Sequence, residues 1–276
     1  MINGLSYCFS SPIRGIWHLG LLPIHAYALS IIAGISISLV ISEWRWRLNG
    51  GTLGSICNIA LWVIPFGIFG GRIYHITTDW PTYFKLGGKG VYSVLELWQG
   101  GLGIWGAIIS SVLGASIVCH FKNITLPVFV DIIAPEVILA QALGRIGNFY
   151  NQELYGNSTS LVWGLRIYQR IDFYGQVDRL NGISINEIIQ VVHPAFLYEI
   201  LWDLLVFVFL IWIDKRLYLK NGDTFAYYLF AYCIGRLLVE LTRSDPTMIF
   251  FGMRFNILSS GLILTASLTF LIFKKR

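Results

Sequence analysis

The sequence predicts an all-α integral membrane protein with seven transmembrane helices and a small outward-facing head domain. Three observations support this prediction. The chain of 276 residues is 55% apolar and only 13% charged, whereas soluble domains carry about 25% charged residues. Seven stretches are close to the roughly 17 to 25 residues that cross a bilayer as a helix. A longer, more polar segment at 157–192 separates the fourth and fifth stretches.

The seven candidate spans are 23–43, 53–75, 99–119, 127–143, 194–213, 224–241 and 256–273. We expect them to form a single polytopic membrane domain over 1–276. The connections 44–52, 120–126 and 214–223, together with the C-terminal tail, contain nine of the twenty Lys and Arg residues. Because cytoplasmic loops of membrane proteins are enriched in Lys and Arg, these segments are predicted to be cytoplasmic and the N-terminus to lie outside.

The N-terminal residues do not resemble a cleavable signal peptide, because Pro12, Arg14 and Gly15 interrupt them before the first span. Trp17 and His18 are typical of a segment that lies against the membrane surface. The excess of positive charge, +5, suits an anionic membrane surface and does not require a nucleic acid partner.

The segment 157–192 is predicted to be an extracytoplasmic head between spans four and five. Residues 161–168 alternate as in a strand, and a turn-rich stretch follows at 172–181. A role in receiving a protein substrate and a purely structural role as a cap both stay open.

The most informative motif runs from Gly144 to Gly156, with the letters GRIGNFYNQELYG. It places Arg145, Asn148 and Glu153 directly after an apolar span. Charged groups at such a position are energetically costly, so each is a candidate functional residue. The guanidinium fork of Arg145 matches a phosphate, and the glycines allow the backbone to approach a ligand. The motif therefore predicts a site for a lipid headgroup.

Polar groups recur along the sixth span at intervals of four, four and three residues: Tyr232, Arg236, Glu240 and Arg243. This spacing places them on one helical face. Two arginines and a carboxylate facing lipid would be costly, so the face must line the bundle interior or a wet cavity. A buried ion network that fixes the helix register is the structural alternative. With Arg145 nearby, two guanidinium groups could hold a phosphodiester.

Two further places carry candidate groups. The fifth span opens at His193, whose imidazole could accept a proton near neutral pH, and continues to Glu199 and Asp203, which would repel each other unless partnered. Arg72 follows two glycines at the end of the second span. Cys8, Cys57, Cys119 and Cys233 are scattered, so we expect neither disulfides, nor a metal site, nor a cofactor.

Taken together, these motifs resemble the prolipoprotein diacylglyceryl transferase family, over about residue 23 to the end. The resemblance rests on the stretch from Gly144 to Gly156, on the sequence from His193 to Glu199, and on the spacing of Arg236, Glu240 and Arg243. It implies a bacterial inner-membrane enzyme that transfers diacylglyceryl from phosphatidylglycerol to the lipobox cysteine of a preprolipoprotein.

The resemblance implies importance for six residues, Tyr27, Arg145, Asn148, Gly156, Arg236 and Glu240, and the motifs described above add the others. The predicted catalytic residues are Arg145, Arg236, Glu240 and His193, and the predicted substrate-binding residues are Tyr27, Arg72, Asn148, Glu153, Gly156, Tyr232 and Arg243. Many members carry a histidine in the third-span motif that has been discussed as a base, where this chain has Trp105. The thiol could instead lose its proton to His193, His25 or water. A phospholipid transporter or flippase is the alternative function, although the absence of internal repeats speaks against it.

Overall fold

The computed structural model describes residues 9–20, 22–85, 90–96, 101–216, 221–243, 249–250 and 252–274. The helices are α1 (Ala26–Leu48), α2 (Ser55–Thr78), α3 (Trp80–Phe84), α4 (Ile104–Phe121), α5 (Leu126–Asn151), α6 (Ala195–Arg216), α7 (Asp223–Glu240) and α8 (Phe255–Lys274). The strands are β1 (Phe9–Ser10), β2 (Ile16–Leu19), β3 (Leu22–His25), β4 (Leu165–Ile171), β5 (Ile183–Val192), β6 (Ile249–Phe250) and β7 (Met253–Arg254).

The chain is a mostly helical membrane protein. Within the described residues, six helices are long and apolar enough to cross a bilayer: α1, α2, α4, α5, α6 and α8. The predicted sixth span corresponds to α7, which carries Asp223, Arg236 and Glu240 within 18 residues and is not among those six. The count of seven spans therefore stays a prediction, as do the single membrane domain and the outward head at 157–192.

The structure differs from the sequence prediction at the fourth span, which we expected to end at residue 143. Helix α5 continues to Asn151, so the first part of the motif at 144–156 is helical. Helical geometry places Gln141, Arg145 and Asn148 on one face, because residues three and four apart are neighbours on a helix. The predicted start of the third span at residue 99 lies outside the described residues, and α4 begins at Ile104.

The chain divides into two compact units, Leu39–Ile132 and the combination of Met1–Ser38 with Ile133–Arg276. In the first unit, α2 and α4 pack closely through glycines. A Cβ on Gly106 would lie 2.3 Å from the carbonyl oxygen of Gly70, a separation that no side chain tolerates. Small residues at this contact therefore allow the two helices to pack closely.

In the second unit, buried apolar residues join α5, α6 and α7. This cluster contains Ala134, Ile138, Val206, Leu210, Ile213, Tyr228 and Ala231. A small sheet with the strand order β1-β4-β5 lies in the same unit. Its strands β4 and β5 form an antiparallel hairpin with two register shifts. The strand-like segment predicted at 161–168 is a strand only from Leu165 onward, and β4 continues to Ile171. Leu165, Ile167, Val192 and Phe196 form a buried cluster between the hairpin and α6.

Candidate active site

The carboxylate of Glu199, on the second turn of α6, is the centre of the candidate site. Its Oε2 lies 2.6 Å from Nε of Arg145, and its Oε1 lies 2.8 Å from Nη1 of Arg236. Nη1 of Arg243 is 3.8 Å from the same Oε1. Glu199 thus joins Arg145 of α5 to Arg236 of α7. The sequence placed Glu199 on α6 but did not predict this central position.

Glu240, at the end of α7, forms a second centre. Its Oε2 lies 3.3 Å from Nη2 of Arg236, one helical turn earlier, as the i,i+4 spacing predicts. Its Oε1 accepts a hydrogen bond of 2.6 Å from Nε of Arg254, the last residue of β7, directly before α8. Asn256 also donates to Glu240, at 3.4 Å. No sequence signal pointed to Arg254, which lies outside the predicted spans.

The two centres share Arg236 and form one cluster. We call it the arginine cluster; it consists of Arg145, Arg236, Arg243, Arg254, Glu199 and Glu240. Asp203 lies one turn after Glu199 and is also buried. Charges held away from water need partners of opposite sign. The guanidinium forks of Arg145 and Arg236, brought together at Glu199, suit an anionic ligand.

The arginine cluster borders two spaces. A groove of about 330 Å³ runs between α1 and α5; it is lined by Tyr27, Ile31, Ile35, Val137, Ala140, Gln141, Gly144, Arg145 and Asn148. A cavity of about 10 Å³ lies on the other side of Arg145, among Glu199, Asp203, Tyr232 and Arg236, and has room for about one water molecule. The groove is within the usual size of ligand pockets. Arg145 lines both spaces and therefore connects the groove to the cluster.

Polar side chains within the motif at 144–156 form hydrogen bonds with one another. Oε1 of Glu153 accepts hydrogen bonds from the side-chain amides of Asn148, at 3.0 Å, and Asn151, at 3.2 Å. Gly147 packs directly against Tyr27, because a Cβ on it would lie 2.5 Å from Cδ2 of the tyrosine ring. Tyr27 and Asn148 both line the groove together with Arg145; their role in substrate binding stays a prediction.

Gly156 has a structural reason to be glycine. It forms a bridge with Arg243, and its N–H donates to the carbonyl of His193 at 2.9 Å. A Cβ would lie 2.7 Å from the carbonyl oxygen of Thr242 and 2.8 Å from Cβ of His193. Gly156 was predicted to bind substrate; the structure places it against the backbone segment that carries Arg243 into the cluster.

His193 lies just before α6. Its Nδ1 is 3.1 Å from the hydroxyl of Tyr198, and that hydroxyl accepts a hydrogen bond of 3.0 Å from the indole of Trp163. Because a hydroxyl oxygen has two lone pairs, that of Tyr198 can also accept from Nδ1–H of His193, a tautomer that leaves Nε2 able to accept a proton. This contact orients the imidazole next to the segment that holds Arg243.

Arg72 lies in the other compact unit, on α2. Its guanidinium donates to the carbonyl oxygens of Ser93 at 2.5 Å, Val94 at 2.7 Å and Gly101 at 3.1 Å, and it lies over the ring of Tyr83. The structure therefore uses Arg72 to order the segment that leads to α4. Trp105 is in the first turn of this helix.

A buried arginine outside the predicted set supports the hairpin. Arg170 on β4 is 1% exposed and donates to the carbonyl oxygens of Pro12 at 2.7 Å, Tyr150 at 2.8 Å and Arg179 at 3.1 Å. Burial lowers the pKa of Arg170 to about 10, so it stays cationic at neutral pH. These contacts tie the hairpin to the end of α5.

Residues 14–273 match the family model described as prolipoprotein diacylglyceryl transferase. A protein of Mycobacteroides abscessus named phosphatidylglycerol–prolipoprotein diacylglyceryl transferase is 51% identical over 264 residues, which cover 95% of this chain and 77% of the relative. Relatives of the same name from Rhodococcus jostii (47% identical, 98% and 75% covered) and Mycolicibacterium paratuberculosis (49% identical, 99% and 64% covered) are also similar. The last of these extends well beyond the matched region.

Proposed function

Because the chain belongs to the prolipoprotein diacylglyceryl transferase family, we propose that it transfers the diacylglyceryl group of phosphatidylglycerol to a cysteine thiol of a preprolipoprotein, the first step of lipoprotein maturation. The observation that carries the proposal is the meeting of the Arg145 and Arg236 guanidinium groups at Glu199, with Arg145 also lining the groove. Phosphatidylglycerol presents one phosphodiester with a single negative charge. The released glycerol phosphate carries up to two, so a cationic site stabilises the developing charge.

In the proposed reaction, the nucleophile is the cysteine thiolate of the protein substrate. The thiolate of the lipobox cysteine attacks the glyceryl carbon that bears the phosphate, and a carbon–sulfur bond forms. The carbon–oxygen bond to phosphate breaks, and its electron pair goes to the phosphate oxygen. The products are a thioether-linked lipid and glycerol phosphate, while the thiol proton goes to a base. No enzyme nucleophile, metal or cofactor takes part in these steps.

The groove between α1 and α5 fits the lipid. Its Ile31, Ile35, Val137 and Ala140 provide an apolar surface for an acyl chain, and its polar end holds Tyr27, Arg145 and Asn148. Arg145 uses Nε for Glu199, so its Nη groups can donate to the phosphate. Arg236 approaches from α7, and Glu199 holds the two guanidinium groups in one place.

The proposed roles of the remaining site residues follow from their contacts. Glu240 positions Arg236, and Arg243 adds positive charge beside Glu199. Glu153 orients Asn148, and Tyr232 closes the cavity beside Arg236. Arg72 acts through the segment that it orders. For the thiol proton we propose His193 as the acceptor, with His25 and water as alternatives that the pH dependence of turnover distinguishes.

We also propose in which membrane the protein lies and on which side its termini are. The chain is a multi-pass membrane protein with several apolar helices. The clustering of Lys and Arg in the connections 44–52, 120–126 and 214–223 supports a bacterial inner membrane with the N-terminus outside and the C-terminus in the cytoplasm. The arginine cluster then faces outward, where exported preprolipoproteins are available.

The test is a transfer assay with purified protein, labelled phosphatidylglycerol and a lipobox peptide. We expect the mass of the peptide to increase by one diacylglyceryl group, with release of one glycerol phosphate for each modified peptide. A peptide with serine in place of the cysteine, and vesicles of phosphatidylcholine alone, serve as controls and should show no transfer. Movement of lipid between leaflets without a change in peptide mass would support a flippase and contradict the proposal.

A further inference from the structure

The turn between β4 and β5 exposes apolar side chains. We call the four residues Phe173, Tyr174, Val177 and Leu180 the hairpin tip. Phe173 is 98% exposed and Tyr174 is 85% exposed, and the other two are also exposed. Turns are ordinarily rich in polar residues, and two adjacent aromatic rings without contact to a core point to a partner surface.

The contacts of β4 indicate where the hairpin tip lies relative to α5. At the start of β4, Leu165 belongs to a buried cluster that Phe149 of α5 packs against. At its other end, Arg170 donates to the carbonyl oxygen of Tyr150, in the same turn of α5. The strand covers about six steps of 3.3 Å, roughly 20 Å in all. Because the cluster that contains Leu165 and the guanidinium group of Arg170 both reach the same turn of α5, β4 lies against the end of this helix.

The end of α5 lies at the boundary of the membrane. Its 26 residues extend about 39 Å at 1.5 Å per residue, which is longer than the roughly 30 Å of hydrocarbon. Its polar last turns, which include Arg145 and Asn148, therefore reach the headgroups. Since β4 lies against this end, the hairpin that it opens begins near the level of the headgroups.

We propose that the hairpin tip inserts into the lipid headgroup layer on the same side of the membrane as the arginine cluster, and anchors the hairpin there. Phe and Tyr are suited to this layer, because aromatic residues concentrate where membrane and water meet and apolar side chains on one surface of an element sink into the headgroup and acyl boundary. The proposal depends on the membrane-crossing course of α5 and is independent of the transfer reaction.

Several backbone N–H groups of the turn have hydrogen-bond partners within the turn itself. Oδ1 of Asp172 accepts hydrogen bonds from the N–H groups of Tyr174 and Gln176, both at 2.8 Å. Oδ1 of Asp178 accepts from the N–H groups of Leu180, at 3.0 Å, and Asn181, at 2.9 Å. Because these amides have partners within the turn, placing the tip among headgroups leaves fewer donors to be dehydrated without compensation.

The experiment measures the depth of a nitroxide spin label at Phe173→Cys. The label is introduced into a background in which Cys8, Cys57, Cys119 and Cys233 are replaced by serine, and the protein is reconstituted into vesicles of phosphatidylcholine and phosphatidylglycerol. Accessibility to oxygen, which enriches in lipid, is compared with accessibility to nickel-EDDA, which stays in water. Tyr174→Cys is a second site on the tip, and Glu187→Cys, on the exposed part of β5, is the matched control.

We expect the labels at 173 and 174 to be more accessible to oxygen than to nickel-EDDA in vesicles without any peptide, and the label at 187 to show the opposite preference. Water-like accessibility at both tip sites, equal to that at 187, would overturn the proposal. A lipid-like or buried signature that develops only after a lipobox peptide is added would also overturn it, and would assign the tip to docking of the protein substrate.

Discussion

Oε2 of Glu199 lies 2.6 Å from Nε of Arg145, and this ion pair joins α6 to the part of the motif at 144–156 that lies on α5. The same carboxylate reaches Arg236 through its other oxygen. One buried acid therefore sets the positions of the two arginines that are proposed to hold the phosphate. Breaking such a buried pair leaves charges without compensation, which typically costs about 3 to 5 kcal/mol.

Replacing the central acid should therefore affect both stability and turnover. We expect Glu199→Gln to lower the unfolding temperature in detergent and to reduce kcat by about 100-fold, a loss typical of disturbed transition-state electrostatics. Thermal unfolding and the transfer assay measure the two effects. Glu187→Gln, at an exposed position of β5, is the matched control and should change neither. Parental turnover in Glu199→Gln would show that the arginines do not need this carboxylate.

Lysine should not replace either phosphate-binding arginine. We expect Arg145→Lys and Arg236→Lys to retain little activity, because an ammonium group cannot reproduce the bidentate contacts of a guanidinium fork. The transfer rate is measured in vesicles, with protein level and unfolding temperature as checks on folding. Rescue to the parental rate by lysine would mean that only the charge matters at that position.

The backbone contact at Gly156 is testable with a single methyl group. We expect Gly156→Ala to displace the segment at Thr242 and Arg243, since its Cβ would lie 2.7 Å from the carbonyl oxygen of Thr242, and overpacking of this kind costs about 1 to 3 kcal/mol. Turnover should fall together with the unfolding temperature. At Gly261 a Cβ meets nothing within 4 Å, so Gly261→Ala is the control and should behave like the parent.

The proton acceptor is tested through the pH dependence of kcat/KM, which reports the titrating groups of the free enzyme. We expect His193→Gln to lower kcat/KM and to remove the acidic limb of the profile between about pH 5 and about pH 9. His25→Gln, at an exposed histidine, should leave that limb in place. An unchanged limb in His193→Gln would exclude this histidine as the base and favour His25 or water.

The cysteines should be dispensable. Cys119 and Cys233 are buried and Cys57 is exposed, and none of these three forms a disulfide; Cys8 lies outside the described residues. We expect replacement of all four by serine to keep activity within several-fold, with losses caused by packing at Cys119 and Cys233. A lipid trapped covalently on the enzyme would contradict this prediction, because the substrate thiol is the proposed nucleophile.

Much of the site could be predicted from the sequence because helical spacing is local. The intervals between Tyr232, Arg236 and Glu240 are sufficient to place them on one face of α7, and the contact between Arg236 and Glu240 confirms that interpretation. Arg243 was expected on the same helical face, but α7 ends at Glu240 and Arg243 lies beyond it, in a bridge with Gly156. The six apolar spans were predicted for the same reason, since length and hydropathy are local properties.

Contacts between distant segments were not predictable in this way. The sequence showed that Glu199 needed a partner but not which arginines would reach it, because that depends on how α5, α6 and α7 pack. Arg254 had no signal at all. The end of α5 was placed eight residues too early, at 143 instead of Asn151, because polar residues in a helix that continues beyond the hydrocarbon resemble a loop when only hydropathy is considered.

The most direct test of the central claim compares Arg145→Ala with the parent in the same phosphatidylglycerol vesicles, with transfer to a lipobox peptide and release of glycerol phosphate followed together. If the arginine cluster stabilises the departing phosphate, the variant should still insert and fold, with an unfolding temperature lowered no more than in Glu199→Gln, while both products form at least about 100-fold more slowly. Equal rates of product formation in the variant and the parent would contradict the account.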